Sequence, residues 1–108
     1  MFYHGFVLGL LVDTQNDYQV KSNRESGYGR YDVILEPHRN TDPAVIMEFK
    51  VFAPDEGEKT LEDTVKRALQ QIETKKYDTD LLARGIPKER ILKYGFAFQG
   101  KTCLIRKG

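Results

Sequence analysis

The sequence predicts one α/β domain, and three observations carry that prediction. Residues 44–52 form an apolar run of strong β propensity, and residues 61–72 place apolar side chains at helical spacing. Clusters of glycine, proline and polar residues separate the apolar segments. Taken in order, the segments predict helix, three strands, helix and two strands. At 108 residues the chain is long enough for one hydrophobic core but not for two.

The first segment, residues 2–12, is apolar on nearly every side and is predicted to be a buried helix. It is too short to cross a bilayer, and it lacks the basic start and small-residue cleavage site of a signal peptide. Its large apolar side chains cannot all face one interior. We therefore expect a second copy of the chain, in a homodimer, or a neighbouring domain to cover part of this helix.

Three strands are expected next. Residues 18–22 alternate in the manner of a strand, residues 24–29 supply turn residues, and a hairpin continues into residues 30–36. Residues 37–43 form a polar turn before the apolar strand at residues 44–52. These strands complete the first half of the domain.

The second helix is predicted to begin after Thr60, which forms a capping box with Asp63, and to continue to about Gly85. The apolar face of this helix is formed by Leu61, Val65, Ala68, Leu69 and Ile72. Two further strands are expected at residues 91–98 and 101–106, around a tight turn.

Composition narrows the classes of protein. Lysine and arginine number 17 against 16 aspartates and glutamates, so a polyanionic partner such as DNA needs a local basic face. Cys103 is the only cysteine, which excludes an internal disulfide and a cysteine-based zinc site. A single cysteine also fits a reducing compartment. We therefore expect a cytoplasmic protein with no membrane partner.

Charged residues stand where buried strands ordinarily carry none. Side chains alternate between the two faces of a strand, so Glu48 and Lys50 share one face while Met47 and Phe49 point to the other. Asp32 enters a neighbouring strand, where antiparallel pairing would place it beside Glu48. Buried charges need mutual neutralisation, solvent or a metal ion. Two carboxylates with room for water and phosphate oxygens suit Mg²⁺.

At these residues the sequence resembles the PD-(D/E)XK nuclease superfamily. Tyr31-Asp32 stands in place of the Pro-Asp pair, and Glu48-Phe49-Lys50 forms the E-x-K. More narrowly, FYHGFVLGLL, SNRESGYGRYD, QIETKKY and YGFAFQGK resemble the nuclease-like domain found C-terminal to AAA-ATPase-like domains in bacterial and archaeal proteins. The chain has no G-x-x-x-x-G-K-[ST] phosphate loop of its own. The resemblance implies a restriction-endonuclease-like αβββαβ core over residues 1–108, with a mixed central sheet flanked by helices.

The resemblance also implies an activity, the Mg²⁺- or Mn²⁺-dependent hydrolysis of phosphodiester bonds in DNA. Asp32, Glu48 and the carbonyl oxygen of Phe49 would hold the metal, and Lys50 would lie beside the attacking water. A neighbouring ATPase-like domain becomes one candidate to cover the N-terminal helix.

The match departs from the superfamily in the first helix, where many members place a glutamate and this sequence has no acid before Asp13. The resemblance implies that His4 fills this gap as a metal ligand, although a core or interface histidine is the plainer interpretation. Gln71 and Tyr77 are the nearest matches to substrate-binding residues of the later helix. Their spacing differs from the usual Q-x-x-x-Y.

Three alternatives remain open from the sequence. Arg24 and Arg30 flank the glycine-rich turn, and they suit either phosphate oxygens of the substrate or salt bridges to nearby acids. The E-x-K also fits a solvated face or an ordinary ion pair. The alternative function is a non-catalytic nucleic-acid-binding or protein-interaction module that keeps the nuclease fold.

Overall fold

A mixed sheet of five strands organises the protein. The structure, a computed structural model, describes residues 17–25 and 30–108. The strands are β1 (Tyr18–Glu25), β2 (Arg30–Pro37), β3 (Ala44–Val51), β4 (Ile91–Gln99) and β5 (Thr102–Lys107). They lie in chain order across the sheet, with β3 and β4 parallel and the other neighbouring pairs antiparallel. The predicted α/β class and mixed sheet are confirmed.

Two helices, α1 (Leu61–Lys75) and α2 (Thr79–Ala83), connect β3 to β4 and supply the crossover that a parallel pair needs. Short 3₁₀ turns at Pro54–Glu56 and Lys88–Arg90 lead into and out of this crossover. The predicted capping box starts α1. The Thr60 side chain accepts a hydrogen bond from the Asp63 N–H, and the Asp63 carboxylate accepts one from the Thr60 N–H.

The prediction of one helix reaching Gly85 is wrong, because α1 stops ten residues earlier. Lys76 adopts a left-handed backbone conformation with φ of 53°, and its N–H caps carbonyl groups of the last helical turn. The Thr79 hydroxyl then donates to the Lys76 carbonyl at 2.8 Å. Short polar side chains of this kind compete with the helix for backbone hydrogen bonds and favour a break. The break takes Tyr77 off the regular helix.

The two faces of the sheet bury different sets of side chains. One face carries the apolar cluster of Tyr31, Val33, Leu35, Met47, Phe49 and Phe98. The opposite face packs against the helices through Ala44, Ile46, Ile72, Leu81, Ile86 and Ile91. Asp32, Glu48 and Lys50 alternate with the first set along their strands, so they lie on the helix-covered face.

Several predictions fall outside the described residues. The N-terminal helix at residues 2–12, with His4, and the tip of the hairpin at residues 26–29 are among them. The proposed cover for that helix, whether a second copy or an ATPase-like domain, stays a prediction. Within the described ranges, every helix is too short or too polar to cross a membrane.

Gly95 allows α1 to approach the sheet closely. A Cβ atom at this position would lie 3.0 Å from the carbonyl oxygen of Val65 and 3.1 Å from Cγ of Leu69. Gly95 pairs with Glu48 across the parallel β3–β4 ladder. Because the helix lies directly over this point of the sheet, Glu48 is 0% exposed.

Replacing Gly95 with alanine should therefore destabilise the fold by about 1–3 kcal/mol, the usual cost of overpacking a close contact. Urea unfolding measures the change. Gly108→Ala is the matched control, because the closest atom to its added Cβ would be the flexible end of the Leu69 side chain, with Lys93 in ordinary contact, and we expect a change within about 0.5 kcal/mol. Equal stability of Gly95→Ala and the parent would show that α1 is not held this closely.

Candidate active site

The register of β2 and β3 places two carboxylates side by side. Asp32 pairs directly with Glu48, so both side chains leave the sheet on the same face. Both are buried, at 2% and 0% exposed. Side chains opposite one another in an antiparallel pair have Cβ atoms about 5 Å apart. The structure thus brings together the two acids that the sequence singles out.

Tyr77 approaches these carboxylates from the helical crossover. The pKa of its phenol is raised well above the usual value, first because the hydroxyl is buried and then because Glu48 and Asp32 lie nearby. A hydrogen bond from the hydroxyl to Asp32 raises the pKa further. A hydrogen bond with Gln71 lowers it, which is the effect of an amide N–H donated to the phenol oxygen.

A hydrogen-bonded chain therefore runs from Gln71 through Tyr77 to Asp32. Tyr77 follows Gln71 by six positions, against four in Q-x-x-x-Y, and the helix break at Lys76 lies between the two residues. Of the two residues that the sequence assigns to substrate binding, Tyr77 lies next to the carboxylates and Gln71 contacts Tyr77. Tyr77 engages Asp32 itself, and a further contact to Asp32 comes from β1, where the side-chain nitrogen of Asn23 lies 3.5 Å from Oδ1.

Lys50 forms an ion pair with Glu58, an acid that the sequence analysis does not predict as its partner. Its Nζ lies 2.5 Å from Oε2 of Glu58, and the two side chains are 3% and 0% exposed. Glu58 belongs to the loop between β3 and α1, eight residues after Lys50 in the chain. Only a general rule predicts such a partner from the sequence: a buried ammonium needs a counter-ion. Several acids in residues 55–63 would satisfy that rule, so the sequence does not single out Glu58.

Both oxygens of Glu58 are engaged. Oε1 accepts hydrogen bonds from the Ala53 N–H at 2.8 Å and from the Thr64 hydroxyl at 2.6 Å. Oε2 accepts from Lys50 and also lies 3.5 Å from Nη1 of Arg67. Burial acts to raise the pKa of Glu58, but hydrogen bonds from Lys50, Thr64 and the backbone outweigh it and hold the pKa below its usual value. Glu58 is therefore an anion at neutral pH.

A cleft of about 360 Å³ opens beside this group, between β3 and α1. It is lined by Lys50, Glu56, Arg67, Gln70, Gln71 and Thr74. Two cations, two amides and one hydroxyl offer hydrogen-bond donors, against a single acid. Such a lining suits the oxygens of a phosphate group. Gln71 belongs both to the cleft and to the chain that ends at Asp32, so the cleft and the carboxylates form one site.

The other predicted site residues contribute less to the described geometry. The Phe49 ring lies on the opposite face of the sheet, stacked on Tyr31 with ring centroids 4.7 Å apart, so only its carbonyl oxygen remains a candidate ligand. Arg24 and Arg30 belong to β1 and β2 by their backbones, and Arg30 pairs with Lys50 in the β2–β3 register. Their side chains, like His4, lie outside what the structure describes.

The donor set fits a hard divalent cation. Mg²⁺ prefers oxygen ligands and is commonly held by one or two carboxylates, with water and phosphate oxygens filling the other positions. Asp32 and Glu48 provide two carboxylates from adjacent, rigid strands. Within residues 17–25 and 30–108, no group of three or more histidine, cysteine, aspartate or glutamate side chains comes together to hold a metal. A carboxylate pair of this kind leaves coordination positions for substrate.

A family model described as the PD-(D/E)XK nuclease superfamily matches residues 1–108. This chain belongs to the PD-(D/E)XK nuclease superfamily. No curated protein and no solved structure matches it significantly.

The residues that resemble the superfamily's signature are among the buried charges described above. Asp32 resembles the motif's first acid, and Glu48 with Lys50 resembles its E-x-K; all three residues are buried. The five-stranded mixed sheet with helices agrees with the restriction-endonuclease-like fold of PD-(D/E)XK proteins. Membership therefore associates the chain with nuclease chemistry, while the roles of individual residues are proposals.

The hydroxyl of Tyr77 should stabilise the folded protein through its bond to Asp32. Tyr77→Phe removes that bond from a buried carboxylate, and the free energy of unfolding should fall by about 1.5–3 kcal/mol. Urea unfolding at neutral pH is the measurement. Tyr94→Phe, in the apolar cluster on the other face, is the control and should change stability by no more than about 0.5 kcal/mol. Identical losses in the two variants would mean that Tyr77 makes no special contact with Asp32.

Proposed function

We propose that this chain is a divalent-metal-dependent nuclease that hydrolyses phosphodiester bonds in DNA. The observation that carries the proposal is the cross-strand pairing of two buried carboxylates, Asp32 and Glu48, with Lys50 on the same face at the floor of a polar cleft. Membership of the PD-(D/E)XK superfamily supports the same chemistry.

Asp32 and Glu48 are the proposed metal ligands, together with the carbonyl oxygen of Phe49. Side chains that pair directly across two antiparallel strands lie close together, and two like charges held in this way repel each other, so a cation between the carboxylates is favourable. A bound Mg²⁺ or Mn²⁺ supplies Lewis acidity to a phosphoryl oxygen and makes water a better nucleophile.

The remaining groups bind and orient the substrate. Arg67, Gln70 and Gln71 line the cleft and present donors to the phosphate backbone. Lys50 lies at the junction between the cleft and the carboxylates, where its ammonium can stabilise negative charge that develops on the phosphate and orient the attacking water. Tyr77 holds Asp32 in place through its hydrogen bond.

A direct assay separates this function from a non-catalytic module. The purified chain is incubated with single-stranded, duplex and branched DNA, and in parallel with RNA, in the presence of Mg²⁺ or Mn²⁺ and then of EDTA. We expect DNA cleavage that requires the metal. Binding of nucleic acid without cleavage in any metal would favour the module instead.

Asp32→Asn and Glu48→Gln should each abolish cleavage, because each removes the negative charge of one proposed metal ligand with little change in side-chain size. The fold should survive, since neutralising one of two neighbouring carboxylates relieves repulsion in the metal-free protein. DNA cleavage and circular dichroism are measured together.

Glu36→Gln is the matched control for these variants, because Glu36 also lies on β2 but pairs with Lys21 and Arg84 away from the cleft. It should cleave like the parent. Normal cleavage by a folded Asp32→Asn or Glu48→Gln protein would show that these acids are structural.

Lys50→Ala should keep metal binding but slow cleavage by roughly 10² to 10³-fold, the effect of removing one preorganised electrostatic group. Lys50→Arg should restore little activity, because a planar guanidinium cannot occupy the position of a compact ammonium. Mn²⁺ binding by calorimetry and cleavage at saturating metal give the two readouts. If Lys50 were only the structural partner of Glu58, Lys50→Ala would lose stability and cleave at the parental rate.

A further inference from the structure

We propose that Glu58 is a positioning residue for Lys50, which fixes the lysine ammonium at the floor of the cleft. This inference rests on the proposed nuclease function and deepens it. The proposed role of Glu58 needs no contact with the carboxylate pair or with the substrate. Glu58 acts through Lys50.

The Lys50–Glu58 contact is the first reason. A lysine side chain has four rotatable bonds and loses considerable freedom when its charge is held at one point. Here the ammonium bonds to Glu58 at 2.5 Å, with both side chains almost completely buried. An ammonium carries three N–H donors, and this bond uses one of them. The direction of that bond constrains where the other two point.

The rigidity of Glu58 is the second reason. Its Oε1 is held by the Ala53 N–H, just after β3, and by the hydroxyl of Thr64 in the first turns of α1. Thr64 is 0% exposed, and the capping box at Thr60 fixes the start of its helix. The carboxylate is thus anchored on the oxygen opposite the one that binds Lys50. Although Glu58 lies in a loop, these two hydrogen bonds hold its carboxylate in a fixed position between β3 and α1.

The repulsion between the charges of Lys50 and Arg67 is the third reason. Arg67 lies 3.5 Å from the same oxygen of Glu58 that binds Lys50, and its side chain is 43% exposed in the cleft. One carboxylate therefore separates two cations. Without it, Lys50 and Arg67 would repel each other, and the ammonium would be driven away from its present position. The group of three carries a net charge of +1, which still favours a phosphate in the cleft.

A double-mutant cycle tests the proposal. Single-turnover cleavage rates with enzyme in excess, which keep slow variants measurable, are compared for the parent, Glu58→Gln, Lys50→Met and the double variant. We expect Glu58→Gln to lower the maximal rate by about tenfold or more in the parent, with little change in the DNA concentration that gives half the maximal rate, and to have no effect in Lys50→Met. An equal loss in both backgrounds, or no loss in the parent, would overturn the proposal.

Thr64 provides a second pair of variants if Glu58→Gln does not fold. Thr64→Val removes one donor to Glu58 and should slow cleavage, whereas Thr64→Ser keeps the hydroxyl and should restore the rate. Glu73→Gln is the matched control, because it breaks a surface ion pair with Lys93 elsewhere on α1 and should cleave like the parent. A slow Thr64→Ser variant would contradict the hydrogen-bond argument.

A readout independent of cleavage separates this inference from the proposed function. The ¹⁵N signal of the Lys50 ammonium, assigned by its loss in Lys50→Met, reports how well the group is ordered. We expect an ordered ammonium in the parent and a mobile one in Glu58→Gln. If the parent does not cleave DNA, the nuclease proposal fails while this signal still decides the role of Glu58. An ammonium that stays equally ordered in Glu58→Gln would overturn the inference.

Discussion

The antiparallel register between β2 and β3 is the constraint on which the site depends. Side chains alternate strictly between the two faces of a sheet, so a slip of one residue in either strand would exchange its entire set of inward and outward groups. In the observed register, Asp32 meets Glu48 on the helix-covered face, while Tyr31 meets Phe49 in the apolar cluster. The same pairing therefore builds the core on one face and gathers the acids on the other. Apolar packing of the aromatic pair, whose rings stack 4.7 Å apart, helps to hold the acids in register.

The helical crossover makes these buried charges tolerable. Because Gly95 has no side chain, α1 lies close against the sheet and covers Glu48. The same crossover delivers Tyr77 to Asp32, and the loop before it delivers Glu58 to Lys50. A buried charge that lacks such partners would cost several kcal/mol. The sheet thus fixes the positions of the charged groups, and the crossover supplies hydrogen-bond and ion-pair partners that orient them.

The sequence predicts the regular elements well because their signals are local. Alternation marks the strands, and Thr60 with Asp63 marks the start of α1. The pairing of Asp32 with Glu48 was also predictable, because buried charges on neighbouring apolar strands have few stable arrangements. The partner of Lys50 was not, because Glu58 is one of several acids in its loop and only the folded chain selects it. The end of α1 was missed because Lys76 has good helix propensity, and the turn beyond it depends on side chains such as Thr79 that bond back to the backbone.

We propose that Asp32 and Glu48 together hold one divalent cation on the helix-covered face of the sheet. Crystals of the protein grown with Mn²⁺ and measured at the manganese absorption edge test it most directly, because anomalous scattering locates the metal independently of any assumption about the site. We expect one strong peak at bonding distance, about 2.1 Å, from carboxylate oxygens of both residues. A protein saturated with Mn²⁺ whose anomalous peaks all lie away from these two carboxylates would contradict it.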